Sequence, residues 1–308
     1  MDAIKEFGKL KVVGTDLCDE KGNPIQLKGP STLGLVWYPD YINQEAFRTV
    51  RDWGANAIRL AMYTVEEEGY LSDGDQAFTE DLIDKGVKYA TELGMYVIID
   101  WHILSDGNPM TYVEESKVFF TKMTEKYKDY TNVIYEICNE PNGDDVTWEV
   151  VKGYAEIIVP LIRKTCPESI IMIGTPSWSQ RVDQAAENPV EGTNLMYSLH
   201  YYAETHRQPL RDKLIKAREK GLPVFISEYS ICDASGNGAL NYDEANEWAR
   251  LADENKIGFM QWNLANRNES SSMVKVECTK LSDWAEADLT ETGIYFKKRM
   301  SGEISFVK

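Results

Sequence analysis

Two hydrophobic patterns alternate along this chain. Short apolar runs rich in β-branched residues read as buried strands: Asn56–Met62 (NAIRLAM), Met95–His102 (MYVIIDWH), Val133–Asn142 (VIYEICNEPN), Ser169–Thr175 (SIIMIGT), Asn194–Tyr202 (NLMYSLHYY), Leu222–Glu228 (LPVFISE) and Ile257–Asn263 (IGFMQWN). Between them lie longer amphipathic stretches that read as helices: Ala46–Trp53, Thr79–Leu93, Glu114–Tyr127, Asp144–Cys166 with Pro160 marking a kink or an end, Pro209–Lys220, Tyr242–Asn255 and a closing Thr290–Met300. Ahead of them, Lys9–Gly29 predicts a short hairpin with turn residues at Asp19–Pro24, plugging the floor of the sheet and leading into a first strand. Ser31–Tyr38 then reads as a loop carrying Trp37 and Tyr38.

Eight strands separated by helices predict an α/β fold with a parallel sheet, and eight units favour a closed (β/α)8 TIM barrel with a short N-terminal β-hairpin. A doubly wound nucleotide-binding sheet would want GxGxxG after its first strand, and none is there. The chain has 308 residues. A barrel of this kind needs about 250, so residues 1–308 are expected to form one catalytic domain with loops making up the excess.

The stretch Val133–Asn142 carries the first chemical signal. An apolar run ends in Asn139-Glu140-Pro141, and a carboxylate at the mouth of a buried strand is costly unless something pairs or uses it. A lone Glu there reads as a helix cap or ion pair, but a second strand ends the same way, at Glu228 in VFISEY. Arg59, His102, Trp178, His200, Tyr202 and Trp262 occupy the same register at other strand ends. In a barrel those ends face one basin, and paired carboxylates there suit a retaining glycosidase.

Composition removes competitors. With 33 basic and 50 acidic residues the net charge is −17, which disfavours nucleic acid and anionic membranes as partners. The 8 Trp and 17 Tyr exceed what a core alone requires and suit stacking on flat sugar faces. Five scattered cysteines (Cys18, Cys138, Cys166, Cys232, Cys278) show neither zinc nor disulfide spacing, and Cys138 is expected as a buried free thiol. No apolar run is long enough to span a bilayer, and the N-terminal MDAIKEFGKL lacks a signal-peptide core.

The segments NAIRLAMY, VIIDWHILSDGNP, VIYEICNEPNG, GTPSWSQRVDQAAENP, LHYYAETH, FISEYSICDASGNG and MQWNLANRNESSS run in order from Asn56 to Ser272. Together they resemble glycoside hydrolase family 5, in particular its bacterial endo-β-1,4-glucanase subfamily 2. The resemblance implies a retaining endo-β-1,4-glucanase with Glu140 as acid/base and Glu228 as nucleophile. It further implies Asn139 at the sugar 2-hydroxyl, Arg59 and Tyr202 orienting the nucleophile, His102 and His200 lining the reacting sugar's subsite, and Trp262 as its floor. Trp37, Tyr63, Trp178 and Glu269 match more distant sugar contacts.

No metal or cofactor is implied. The expected partner is a β-glucan polysaccharide, met outside the cell by a monomer or by one module of a larger secreted enzyme whose leader is absent from this sequence. Physical reasoning casts the pair the same way: one carboxyl must be ionised and one protonated, and Arg59, the one strand-end cation, is expected beside the nucleophile. Leu33, Ser230-Ile231 and Arg267 depart from the family pattern of His, Gly-Thr and Lys, away from the pair itself. Three alternatives stay open: a metal-dependent barrel hydrolase using His102, His200 and Glu228, for which the usual paired-His motif is missing; a non-catalytic glycan-binding barrel, a class that usually lacks one of the two carboxylates; and a different polymer such as mannan, xyloglucan or mixed-linkage glucan.

Overall fold

The computed structural model of the protein describes residues 2–306. In chain order the elements are α1 (Ala3–Phe7), β1 (Lys11–Val13), β2 (Asp16–Cys18), β3 (Lys28–Thr32), α2 (Gln44–Trp53), β4 (Ala57–Tyr63), α3 (Gln76–Glu92), β5 (Tyr96–His102), α4 (Val113–Tyr127) and β6 (Val133–Glu136). They continue with α5 (Trp148–Thr165), β7 (Ile171–Ile173), the single turn α6 (Pro176–Ser179), α7 (Val182–Glu187), β8 (Leu195–Tyr202), α8 (Gln208–Glu219), β9 (Val224–Ser230), α9 (Tyr242–Glu254), β10 (Phe259–Leu264) and α10 (Glu291–Ser301). Strands β3 to β10 pair in parallel and close, β10 against β3, into the expected eight-stranded TIM barrel.

Caps explain where the helices begin and end. Asn43 accepts the Ala46 amide at the head of α2, and Gly54 closes it in the left-handed region at φ 116°. Asp75 accepts the amides of Ala77 and Phe78, which starts α3 a turn earlier than hydrophobic periodicity alone suggests. Pro160 does not end α5, which continues to Thr165. The ring sits on the exposed side, where water can satisfy the carbonyl that loses its partner, while Val159 and Ile162 stay buried.

The N-terminal hairpin is present as β1 and β2, turning at Gly14-Thr15, with Gly14 at φ 61° as a two-residue turn demands. Asp19 and Asn23 form a separate turn after it, closed by hydrogen bonds of 2.8 and 2.9 Å. Leu10, Leu17, Ile25 and Leu27 then pack beneath the barrel on Ile98, Ile134, Met172, Met196, Phe225 and Met260. That apolar plug seals the N-terminal end of the strands, so the chemistry has one open end.

Side chains of period two fill the barrel in layers above the plug. Alanine 57 and Ile98 belong to the lowest layer; Arg59 and Asp100, two residues on, stand in a wholly polar middle layer with Glu136, Ser198 and Ser227. A β-bulge breaks the alternation in β9. Ser198 and His200 of β8 pair with Phe225 and Glu228, so three steps on β9 oppose two on β8, and β10 shows the same mismatch on the other side. The extra residue turns both Ser227 and Glu228 inward.

Candidate active site

Strand β6 ends at Glu136, three residues before Asn139, and the intervening backbone stays tied to its neighbours. Ile137 donates to the Met172 carbonyl and Asn139 to that of Trp101. This carries Glu140 to the barrel mouth, 9% exposed, facing Glu228, which is 4% exposed. One oxygen of each carboxylate and a ring nitrogen of His200 lie within 4.8 Å of one another.

The two carboxylates have different surroundings. Glu228 accepts from Tyr202 Oη at 2.7 Å on one oxygen and from Arg59 Nη1 at 3.2 Å on the other. Glu140 Oε1 meets His200 Nδ1 at 2.8 Å. Burial pulls the His200 pKa down, but the neighbouring carboxylates of Glu136, Glu140 and Glu228 outweigh it and lift it to about 9.

Arg59 reaches Glu228 as expected, but it also holds two further carboxylates. It lies inside β4, in the polar middle layer and fully buried, and it is not dedicated to Glu228. Its Nε binds Glu136 at 2.7 Å, Nη2 binds Asp100 at 2.9 Å and Asn139 Oδ1 at 2.6 Å, and Nη1 reaches Glu228. One guanidinium thus spans three carboxylates, which its five fixed donors allow. Glu136 is held below the usual carboxylate range: burial pushes it up, but Arg59, His200 and Ser227 more than offset that. Asp100 is pushed up by burial, against the pull of Arg59.

Asn139 is fully buried, and its amide is oriented by its partners. Because Arg59 donates to Oδ1, Nδ2 must supply protons to the Ile103 carbonyl at 3.1 Å and to His102 Nε2 at 3.2 Å. His102 is therefore protonated on Nδ1, which points at Asp100 Oδ2, 2.5 Å away. Burial and Arg59 lower its pKa to about 4, so it is neutral at working pH.

The cleft above these groups has a volume of ≈ 620 Å³ and is lined by Leu33, Tyr63, His102, Trp178, Tyr202, Trp262, Arg267 and Glu269 among others. His102 stacks on Trp262 at 16° with centroids 5.4 Å apart, and Tyr63 lies between His102 and Trp37, at 4.1 and 4.4 Å. Trp178 is 49% exposed at the rim, so it is not a core residue. Ser177, Trp178 and Ser179 all sit at φ of 54–57°, an uncommon run of left-handed non-glycine backbone that holds the indole out. Glu269 is fixed by Asn263 at 2.8 Å and Ser271 at 2.9 Å and pairs with Arg267 at 3.2 Å. A wider depression of ≈ 760 Å³ along α4, between Glu114 and Lys126, is rimmed by Lys and Glu side chains and gathers no comparable buried groups.

Of the candidate site residues, Tyr63, His102, Glu140, Trp178, His200, Tyr202, Glu228, Trp262 and Glu269 line this cleft, Arg59 and Asn139 lie beneath it, and Trp37 packs on Tyr63. Glu136, Ser198 and Ser227 carry no comparable sequence signal, because each is embedded in an apolar strand run, and Asp100 reads only as part of its strand.

Comparison with known proteins agrees with this geometry. The model of the family Cellulase (glycosyl hydrolase family 5) matches residues 18–268. The chain is 47% identical over 296 residues to an endoglucanase of Clostridium saccharobutylicum and 45% identical over 302 residues to endoglucanase A of Butyrivibrio fibrisolvens. Those alignments take in 96% and 97% of this chain and 65% and 70% of the relatives, so the chain spans about two thirds of their length. The catalytic domain of a Thermobifida fusca endoglucanase, solved in complex with cellotetraose, superposes with a TM-score of 0.91 at 35% identity, covering 97% of this chain and 99% of that one. With barrel, carboxylate pair and family model in agreement, the chain belongs to glycoside hydrolase family 5.

Proposed function

We propose that this chain is the catalytic module of a retaining endo-β-1,4-glucanase that cuts internal bonds of cellulose or related β-glucans. The observation that carries this reading is the short separation of Glu140 and Glu228 in unlike surroundings. Carboxyls about 5–5.5 Å apart leave no room for a water between nucleophile and sugar, whereas inverting enzymes hold theirs about 6.5–9.5 Å apart.

Glu228, with a donor on each oxygen, attacks the anomeric carbon while Glu140 gives a proton to the departing sugar oxygen. The product is an ester between Glu228 and the sugar. Glu140, now deprotonated, then takes a proton from the incoming water as general base. Water then cleaves the ester, the stereochemistry is restored, and no metal is required.

Asn139, with both amide protons committed to His102 and Ile103, meets the sugar 2-hydroxyl through the remaining acceptor capacity of Oδ1, which it shares with Arg59. The His102–Trp262 stack forms the floor of the reacting subsite. Trp37 and Tyr63 on one side, and Trp178 on the other, offer ring faces to neighbouring glucose units, and Glu269 offers a fixed acceptor. The substrate is a polymer too large to enter a cell, which supports secretion. Among the described residues, no helix is long and apolar enough to cross a membrane.

The test is release of reducing ends from carboxymethylcellulose, barley β-glucan and galactomannan side by side. The two glucans are expected to be hydrolysed well ahead of galactomannan. Galactomannan as the fastest substrate would overturn the glucanase reading while leaving the retaining chemistry in place.

A further inference from the structure

The middle layer contains a buried carboxylate that the mechanism above does not use. Glu136 is fully buried one layer beneath the reacting groups, and three donors satisfy it: Ser198 Oγ at 2.8 Å and Ser227 Oγ at 2.6 Å on Oε1, and Arg59 Nε at 2.7 Å on Oε2. Ser227 is the link upward, because His200 Nε2 lies 2.8 Å from its hydroxyl and 3.9 Å from Glu136 itself. From this arrangement we propose that Glu136, acting through Ser227, is a positioning residue that fixes a proton on Nε2 of His200 and thereby helps hold the proton shared by the Glu140–His200 pair. This rests on the reading of Glu140 as the acid/base.

Donor and acceptor capacity settles the direction of each bond. An ionised carboxylate only accepts, so the single hydroxyl proton of Ser227 goes to Glu136. The Ser227 oxygen is then left as an acceptor toward His200, whose Nε2 must carry a hydrogen. Nδ1 is consequently the one ring atom free to gain or lose a proton, and it faces Glu140 Oε1 at 2.8 Å. Two bare lone pairs at that distance repel, so this contact holds a proton, whether on the carboxyl or on the ring. The negative charge of Glu136, relayed through one hydroxyl, stabilises the protonated pair in a site where charge-assisted hydrogen bonds are strong.

The other groups facing the pair come from several elements. Arg59 on β4 is a fixed cation bound to Glu136 and Glu228, and Glu228 on β9 favours the proton on His200. His102 and Asp100 on β5, Tyr63 on β4, Tyr202 on β8 and His206 beyond β8 complete the set. Burial holds both tyrosines well above their ordinary pKa and holds His102 and His206 near 4, leaving all four neutral. Burial also raises Asp100. Ser227 touches none of these charged groups except Glu136 and His200, so its removal isolates the relay.

The experiment is kcat/KM against pH on cellotetraose for the wild type, Ser227→Ala, Ser227→Thr, Glu136→Gln and, as reference, Glu140→Ala. Cutting the relay makes the last proton of the pair easier to lose, so the basic limb of Ser227→Ala is expected to move to lower pH by about one unit, a tenfold change in the protonation equilibrium. Ser227→Thr keeps a hydroxyl and is expected to restore the limb. Glu136→Gln is expected to shift it in the same direction; if that variant does not fold, the Ala and Thr pair decides. Glycosylation by a dinitrophenyl cellobioside needs no acid, and its burst is expected to fall much less than the cellotetraose rate. A role limited to packing would lower both substrates together and move no limb. If Glu140→Ala loses the basic limb while Ser227→Ala keeps the wild-type one, the relay is overturned and the acid/base assignment stands. If Glu140→Ala itself retains the limb, the assignment of Glu140 has failed.

Discussion

Glu228→Ala is expected to reduce kcat on cellooligosaccharides by a factor on the order of 10⁴ to 10⁶, the scale seen when one member of an interdependent catalytic set is removed. The loss comes from the covalent route itself, because Glu228 is the carboxylate opposite Glu140, with one oxygen oriented by Tyr202 and the other by Arg59. The variant leaves space and the two donors in place, so a small anion can enter. Added azide is therefore expected to restore cleavage of an activated aryl cellobioside and to give the α-glycosyl azide, since it attacks from the face that Glu228 occupied. Recovery of the β-azide, analysed by NMR, would assign the nucleophile elsewhere. The melting temperature should change little, because the Arg59 charge remains paired with Glu136 and Asp100.

Glu140→Ala is expected to show a different signature, set by the leaving group. A sugar hydroxyl departs poorly without a proton, so kcat on cellotetraose should fall by about 10²–10⁴-fold, the usual worth of positioned proton transfer. A dinitrophenolate departs unaided, so the first step on the aryl glycoside should be nearly spared. Hydrolysis of the ester would still lack its base, and the progress curve should show a burst of phenol followed by slow turnover. Rapid-mixing measurements on the two substrates check this. Equal losses on both would remove Glu140 from the acid/base role.

The parts of this protein that were legible in the sequence share a physical cause. Barrel strands buried on both faces must be continuously apolar, so they stand out, and the helices between them show their amphipathic period. Glu140 and Glu228 were visible because they end such strands, where an ionisable group has no packing reason to be. The deeper polar layer was harder to see. Glu136 lies inside VIYEIC, and its signal was only that a charge in a continuous apolar strand is costly without a partner on a neighbouring strand. Its partner Arg59 was noticed but matched to Glu228 alone, because sequence order does not show that one guanidinium spans β5, β6 and β9. Ser227 was hidden for a further reason. Period-two alternation assigns it and Glu228 to opposite faces, and only the bulge in β9 places both inside. The turn at Asp19–Pro24 is present and bridged from Cys18 to Pro24, but the two hairpin strands pair across Gly14-Thr15, a reversal with fewer turn residues to mark it.

The central claim is that Glu140 and Glu228 work as a retaining pair, and the configuration of the first product tests it most directly. Proton NMR during the first minutes of cellopentaose hydrolysis, before the anomers equilibrate, reads that configuration. The separation of the two carboxylates predicts that the new reducing end appears as the β-anomer and converts slowly to the α form. Initial appearance of the α-anomer would mean single displacement by water and would contradict the account.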